Sequence, residues 1–202
     1  MRICEESLGE KSVGACRDAI AIGLSPPRAA RAYLVLGSRM LFELGRCGEA
    51  EVAYREAIQL APEDTLPRFR LAQAVFCLGR YEDSIQAHRE VIRLDRKDHA
   101  AHYALGKLLF DQGRYSEALE LYRDTARVDP QAPDPFYKQA LILSRLNRHE
   151  EAVNAFREGL QLNPIDLELD PKPEELKAMG WSPEDLRNWS EAVKAERRRR
   201  NR

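Results

Sequence analysis

The chain has 202 residues with 32% charged and 7% aromatic side chains, and a formal net charge of −1. That balance argues against a nucleic-acid binder driven by bulk charge and against an acidic tail. No run approaches the roughly 18 apolar residues that span a bilayer, and Met1-Arg2-Ile3-Cys4-Glu5-Glu6 lacks the apolar core of a signal peptide, so the expected location is cytoplasmic.

Residues 1–30 hold no full repeat of the pattern that follows. Ala15 to Leu24, ahead of Pro26-Pro27, reads as the second helix of a degenerate half-repeat. Two readings stay open: an N-terminal cap, as solenoid ends require, or a fragment of a longer chain. From residue 31 a hexapeptide recurs every 34 residues: Gly45-Arg46-Cys47-Gly48-Glu49-Ala50, Gly79-Arg80-Tyr81-Glu82-Asp83-Ser84, Gly113-Arg114-Tyr115-Ser116-Glu117-Ala118 and Asn147-Arg148-His149-Glu150-Glu151-Ala152. On either side apolar residues recur at three- and four-residue steps, as in Tyr103, Leu105, Leu108, Leu109 and then Ala118, Leu119, Leu121, Tyr122. That periodicity makes one face of a helix, and two such helices bury their faces by packing antiparallel. Each Gly supplies a left-handed residue that ends the first helix, with Asn147 as the next-best substitute. Pro62, Pro130 and Pro164 follow the second helices, and Arg96 replaces Pro in the second repeat, which predicts a less stiff turn there. Leu36-Gly37 lies one residue early relative to Leu71-Ala72, which predicts a first helix one residue longer.

On these residues the chain resembles the tetratricopeptide repeat family, whose unit is a 34-residue helix-turn-helix. Gly106, Gly113, Tyr115, Ala118, Tyr122 and Pro130 carry the match best, while Cys47 and His149 stand in place of Tyr and Gly159 in place of Ala. The resemblance implies an all-α fold: a right-handed α-solenoid with repeats at 31–64, 65–98, 99–132 and 133–166, and residues 167–202 as linker, capping helix and basic tail. Ser182-Pro183-Glu184-Asp185 reads as a helix start, with Trp181 or Trp189 as the anchor of the cap. The tail from Lys194 to Arg202 has six cations against one acid. Its readings are RNA, an acidic partner, anionic lipid, or simply a solvated helix end; nothing aromatic is interleaved, which favours the last.

In proteins of this family the first helix of each repeat lines a concave face. The corresponding positions here are Phe42, Phe76 and Phe110 at the twelfth place; Phe69, Tyr103 and Tyr137 at the fifth; Arg39, Gln73 and Lys107 at the ninth; with Lys138 and Arg145 nearby. Aromatics bury large area with few rotors to freeze, and cations pair with carboxylates. The expected ligand is a protein or peptide segment with apolar anchors and acidic residues; the competing reading is that the aromatics serve only packing. The chaperone-type carboxylate clamp does not fit in either frame, which read Val35, Arg39, Arg70, Ala100, Ala104 and Phe69, Gln73, Ala104, Asp134, Lys138.

No catalytic chemistry, cofactor or metal site is expected. Cys4, Cys16, Cys47 and Cys77 form no Cys-x-x-Cys pair and read as small thiols in a reducing compartment. His88, His99, His102 and His149 read as exposed or groove-lining. The function expected is a non-catalytic protein-interaction adaptor. The alternative is the substrate-recognition portion of a larger enzyme such as a glycosyl- or sulfotransferase. Nucleic acid is an unlikely partner by charge, and self-association through solenoid end faces stays open.

Overall fold

A computed structural model describes residues 23–162 except 147, and outside that range only 13, 14, 18, 20, 21, 183 and 187. Among the described residues eight α-helices run in order: α1 (Pro26–Phe42), α2 (Cys47–Leu60), α3 (Thr65–Cys77), α4 (Tyr81–Leu94), α5 (His99–Asp111), α6 (Tyr115–Val128), α7 (Asp134–Arg145) and α8 (His149–Leu162). The class is all-α, built of helix-turn-helix repeats. The expected C-terminal capping helix, its tryptophans and the basic tail lie outside the described residues, save that Pro183 and Arg187 are helical and exposed.

The hexapeptide explains itself at the turns. Gly45, Gly79 and Gly113 have φ of 66°, 74° and 72°, the left-handed conformation that costs glycine nothing. The following Arg N–H closes the first helix by a bond five residues back, to Val75 O (3.0 Å) and Leu109 O (2.8 Å), a Schellman closure, while Arg46 N–H reaches six residues back to Met40 O (2.8 Å). Arg148 N–H makes the five-residue bond to Leu143 O at 2.9 Å. The Arg side chain then reaches the acid three residues on, in the first turn of the second helix: Arg46–Glu49 (3.6 Å), Arg80–Asp83 (2.5 Å), Arg114–Glu117 (2.6 Å) and Arg148–Glu151 (2.6 Å). So Gly-Arg-x-x-acid is one device that stops a helix, turns the chain and complements the next helix N-terminus.

The turn at Arg96 keeps the bond of its Pro-containing counterparts, Asp98 N–H to Asp95 O at 3.2 Å, matching Asp64 to Ala61 at 3.2 Å. The Asp95 carboxylate fixes it by accepting Lys97 N–H at 2.9 Å. The one-residue shift of Leu36-Gly37 is present: Arg46 N–H reaches Met40 O where Arg80 and Arg114 reach one residue less far back, to Val75 O and Leu109 O, and α1 also begins ahead of residue 31, at Pro26. Proline stops the helix before it and starts the one after it equally well.

By contacts the chain divides into two compact units, Met1–Leu105 and Gly106–Arg202. In the first, α1 packs on α2, α2 on α3 and α3 on α4. Leu36, Met40, Ala50, Ala53, Tyr54 and Ala74 form one buried cluster, which Val13 joins. In the second, α6 packs on α7 and α7 on α8, and Gln139 Nε2 donates to Tyr122 O at 3.2 Å.

Each repeat buries an aromatic residue at its twenty-fourth place: Tyr54, His88, Tyr122 and Phe156. A small residue opposite admits it. A methyl at Gly37 would sit 2.7 Å from Tyr54 Cε1, and one at Gly106 would overlap the Tyr122 ring and hydroxyl. In the fourth repeat the partners exchange helices: Gly159 on α8 accepts Tyr137 of α7, whose Cε1 would lie 2.7 Å from an added methyl. That accounts for Gly where the family favours Ala.

Candidate functional site

Within the first unit, α1 and α3 flank a cleft of about 820 Å³ whose lining includes Arg31, Val35, Arg39, Phe42 and Arg70. Phe42 is 58% exposed, and the Arg70 guanidinium lies 5.1 Å above its ring. Arg70 also donates to Gln73 Oε1 at 2.9 Å, while Arg39 pairs with Glu43 one turn on. The acids on the cleft are Glu43 and Asp64, and Asp64 is occupied as the α3 N-cap, accepting Leu66 N–H at 3.0 Å. Three arginines thus face two acids, each already engaged. Beneath them, burial pushes the Tyr54 hydroxyl above its usual range, opposed by its hydrogen bond to Ser38 and by Arg70.

Further along the same unit Phe76 is 47% exposed and packs on Tyr81, ring centres 5.4 Å apart. Phe69 turns inward onto His88 at 5.2 Å, edge to face. Tyr103 is exposed. In the second unit Phe110 packs on Tyr115 at 5.2 Å, and the Arg145 guanidinium stands 5.8 Å from its ring centre. Lys107 pairs with Asp111 at 2.6 Å. Tyr137 packs on Phe156 at 4.9 Å, and Lys138 is half-buried. The twelfth-place rings Phe42 and Phe76 therefore face solvent, while the fifth-place rings Phe69 and Tyr137 contact the aromatic core of their own repeats.

Two readings from the sequence are overturned. Cys47 and Cys77 are not thiols: they form a disulfide with Cα atoms 6.1 Å apart. The pairing joins the seventeenth place of one repeat to the thirteenth of the next, so a 30-residue spacing was its only sequence signal. His88 and His102 are buried rather than exposed or groove-lining. His88 takes the aromatic place in its repeat, its Nδ1 has no hydrogen-bond partner, and burial pushes its pKa down to about 4 against the opposing pull of Asp98. The stacking of Arg70 and Arg145 on phenylalanines also went unread, because it depends on pairs brought together from neighbouring repeats.

Among the described residues no group of three or more His, Cys, Asp or Glu could hold a metal ion, and no helix is long and apolar enough to cross a membrane.

A tetratricopeptide repeat family model matches residues 38–99 and 69–133, and a second matches 133–166. No curated protein matches. Among solved structures, the chain is similar to MamA at TM-score 0.64 and 19% identity, covering 79% of this chain and 91% of that one. It is similar to YrrB, a TPR protein with an unusual peptide-binding site, at TM-score 0.58 and 20% identity over 77% of this chain and 78% of that one. A tetratricopeptide repeat protein from Parabacteroides merdae ATCC 43184 matches at TM-score 0.66 and 15% identity, covering 92% and 70%. At such identities these likenesses speak to the fold.

Proposed function

The chain belongs to the tetratricopeptide repeat family and is built as a protein-interaction scaffold, and from that premise we propose that it is a non-catalytic adaptor whose first-helix faces bind a peptide segment carrying apolar anchors and carboxylates. The observation that carries this is the α1–α3 cleft, where an exposed Phe42 ring lies among Arg31, Arg39 and Arg70. A half-exposed ring offers area that a ligand side chain can cover, and guanidinium groups recognise carboxylates in a fixed fork geometry. Phe76 offers the same chemistry elsewhere in the first unit, and Phe110 with Lys107 offers it separately in the second. Burial of Val13 among Leu36, Met40 and Ala50 shows that this residue ahead of residue 31 packs on the first repeat.

The experiment is selection from a displayed peptide library on the wild-type chain, followed by titration of the selected peptides. Peptides pairing Asp or Glu with a bulky apolar residue are expected. Binding should be lost in Phe42→Ala and Arg70→Glu variants that fold alike by circular dichroism. Selection of basic peptides, or unchanged binding to Phe42→Ala and Arg70→Glu together, sinks the reading.

A further inference from the structure

The seventeenth place of a repeat opens its second helix. In the second and third repeats it holds Tyr81 and Tyr115, each packed on the phenylalanine five residues before it. In the first repeat it holds Cys47, bonded to Cys77. The two sulfurs have unlike surroundings. Cys47 is 6% exposed and is the first residue of α2. Cys77 is the last residue of α3, and every residue from Phe76 to Arg80 is exposed. A thiol in solution therefore reaches the bond from the Cys77 side.

Thiol exchange breaks a disulfide by attack on one sulfur, with the other sulfur leaving as thiolate. Attack at Cys77 makes Cys47 the leaving group. Its place at the first position of a 14-residue helix puts the leaving sulfur by the positive end of the helix dipole, which favours an anion there. The charged groups around that turn largely offset one another: Glu49 pairs with Arg46, and Glu51 is held by Arg55 at 2.9 Å and Arg80 at 2.7 Å.

We propose that Cys47–Cys77 is a thiol-exchange site for a small thiol of the glutathione class, with Cys77 as the accepting sulfur and Cys47 as the leaving sulfur. A thiolate attacks Cys77 Sγ, the protein S–S bond breaks, and its electron pair goes to Cys47 Sγ. The product is a mixed disulfide on Cys77. A second thiolate attacks the sulfur of the attached thiol, releasing Cys77 thiolate and the oxidised small disulfide. Two thiols are oxidised, one protein disulfide is reduced, and the two new thiolates take protons from water. The reverse sequence restores the bond. The Arg80–Glu51 ion pair ties α2 to the turn between α3 and α4 without a covalent link, and α2 packs directly on α3, so opening the bond leaves other contacts between these elements. In a reducing compartment, disulfides of this exchanging kind are the ones expected.

The test uses the full chain with Cys4→Ser and Cys16→Ser, so that only this pair reacts. Reduced glutathione is added, the reaction is quenched with acid, and adducts are mapped by peptide mass spectrometry. Glutathione is expected on the Cys77 peptide, in about tenfold or greater excess over the Cys47 peptide. In a second arm, oxidised glutathione is added to the Cys47→Ser and Cys77→Ser single variants in the same background, each checked for fold by circular dichroism. The lone Cys77 should be modified at least about tenfold faster than the lone Cys47, because the burial of Cys47 outweighs the thiolate character that the helix end gives it. Adducts mainly on Cys47, equal labelling of both, or no reaction until urea unfolds the chain would each overturn the proposal, the last marking a static structural bond.

Discussion

His88 supplies the sharpest test of how the repeats are packed. The same place in the other repeats holds Tyr54, Tyr122 and Phe156, so His88→Phe restores the aromatic without a buried unpaired nitrogen. The folded pKa of about 4 lies below the ordinary 6.5 because burial disfavours the imidazolium. In the window between those values the unfolded chain binds more protons than the folded one, so stability rises with pH. The contribution is complete above about 6.5 and drains away as pH falls, reaching a loss of about 3 kcal/mol near pH 4 at roughly 1.36 kcal/mol per pH unit. Phe cannot take up the proton in either state. At pH 7.5 the variant is expected to be at least as stable as wild type, because removing an unsatisfied polar atom is worth about 1–3 kcal/mol, against a similar ceiling for fitting the larger ring. The decisive quantity is the difference between the two proteins in urea midpoint, followed from pH 7.5 to 4 alongside hydrogen exchange of α4 amides. That difference should widen by about 3 kcal/mol as pH falls. Parallel pH profiles would show that His88 is not buried neutral, and the packing argument for the second repeat would fail with them.

Other perturbations follow from the same structure. Gly106→Ala drives a methyl into the Tyr122 ring and should cost about 1–3 kcal/mol by chemical denaturation, with part of the loss relieved when Tyr122 is also changed to Leu. Gly79→Ala places a side chain at φ 74° and should cost about 1–2 kcal/mol, while Gly79→Asn should cost less. Reduction of Cys47–Cys77 reopens a loop of 30 residues and should lower stability by up to about 3–4 kcal/mol in the chain-entropy account, read as a fall in thermal midpoint with dithiothreitol that a Cys77→Ser variant no longer shows.

The legible part of the fold was what one repeat states about itself. Gly45, Gly79 and Gly113 announce their turns because no other residue takes that backbone conformation freely, and the Arg–acid pair lies three residues apart in the sequence as in space. What went unread lies between repeats or depends on a single substitution. Cys77 looks like a helix-packing thiol until the next repeat is stacked on the first. His88 looks like a polar surface residue until its register shows it in the place of Tyr54. Pro26, which follows the stretch read as a helix over Ala15 to Leu24, also begins α1, a second role that the periodicity does not reveal. The cleft residues were legible as types and places, but the partition between outward Phe42 and Phe76 and inward Phe69 is set by neighbouring side chains that periodicity does not name.

The bond between Cys47 and Cys77 also changes how the chain answers to a pulling force. A chain stretched from its termini normally yields its whole contour, at about 3.3–3.6 Å for each extended residue. With the two sulfurs joined, the 30-residue span between them is bypassed and only the 6.1 Å across the bond is counted. The oxidised protein should extend about 100 Å less than the reduced one before it is taut. The same stretch would record its own redox state as a length, readable one molecule at a time.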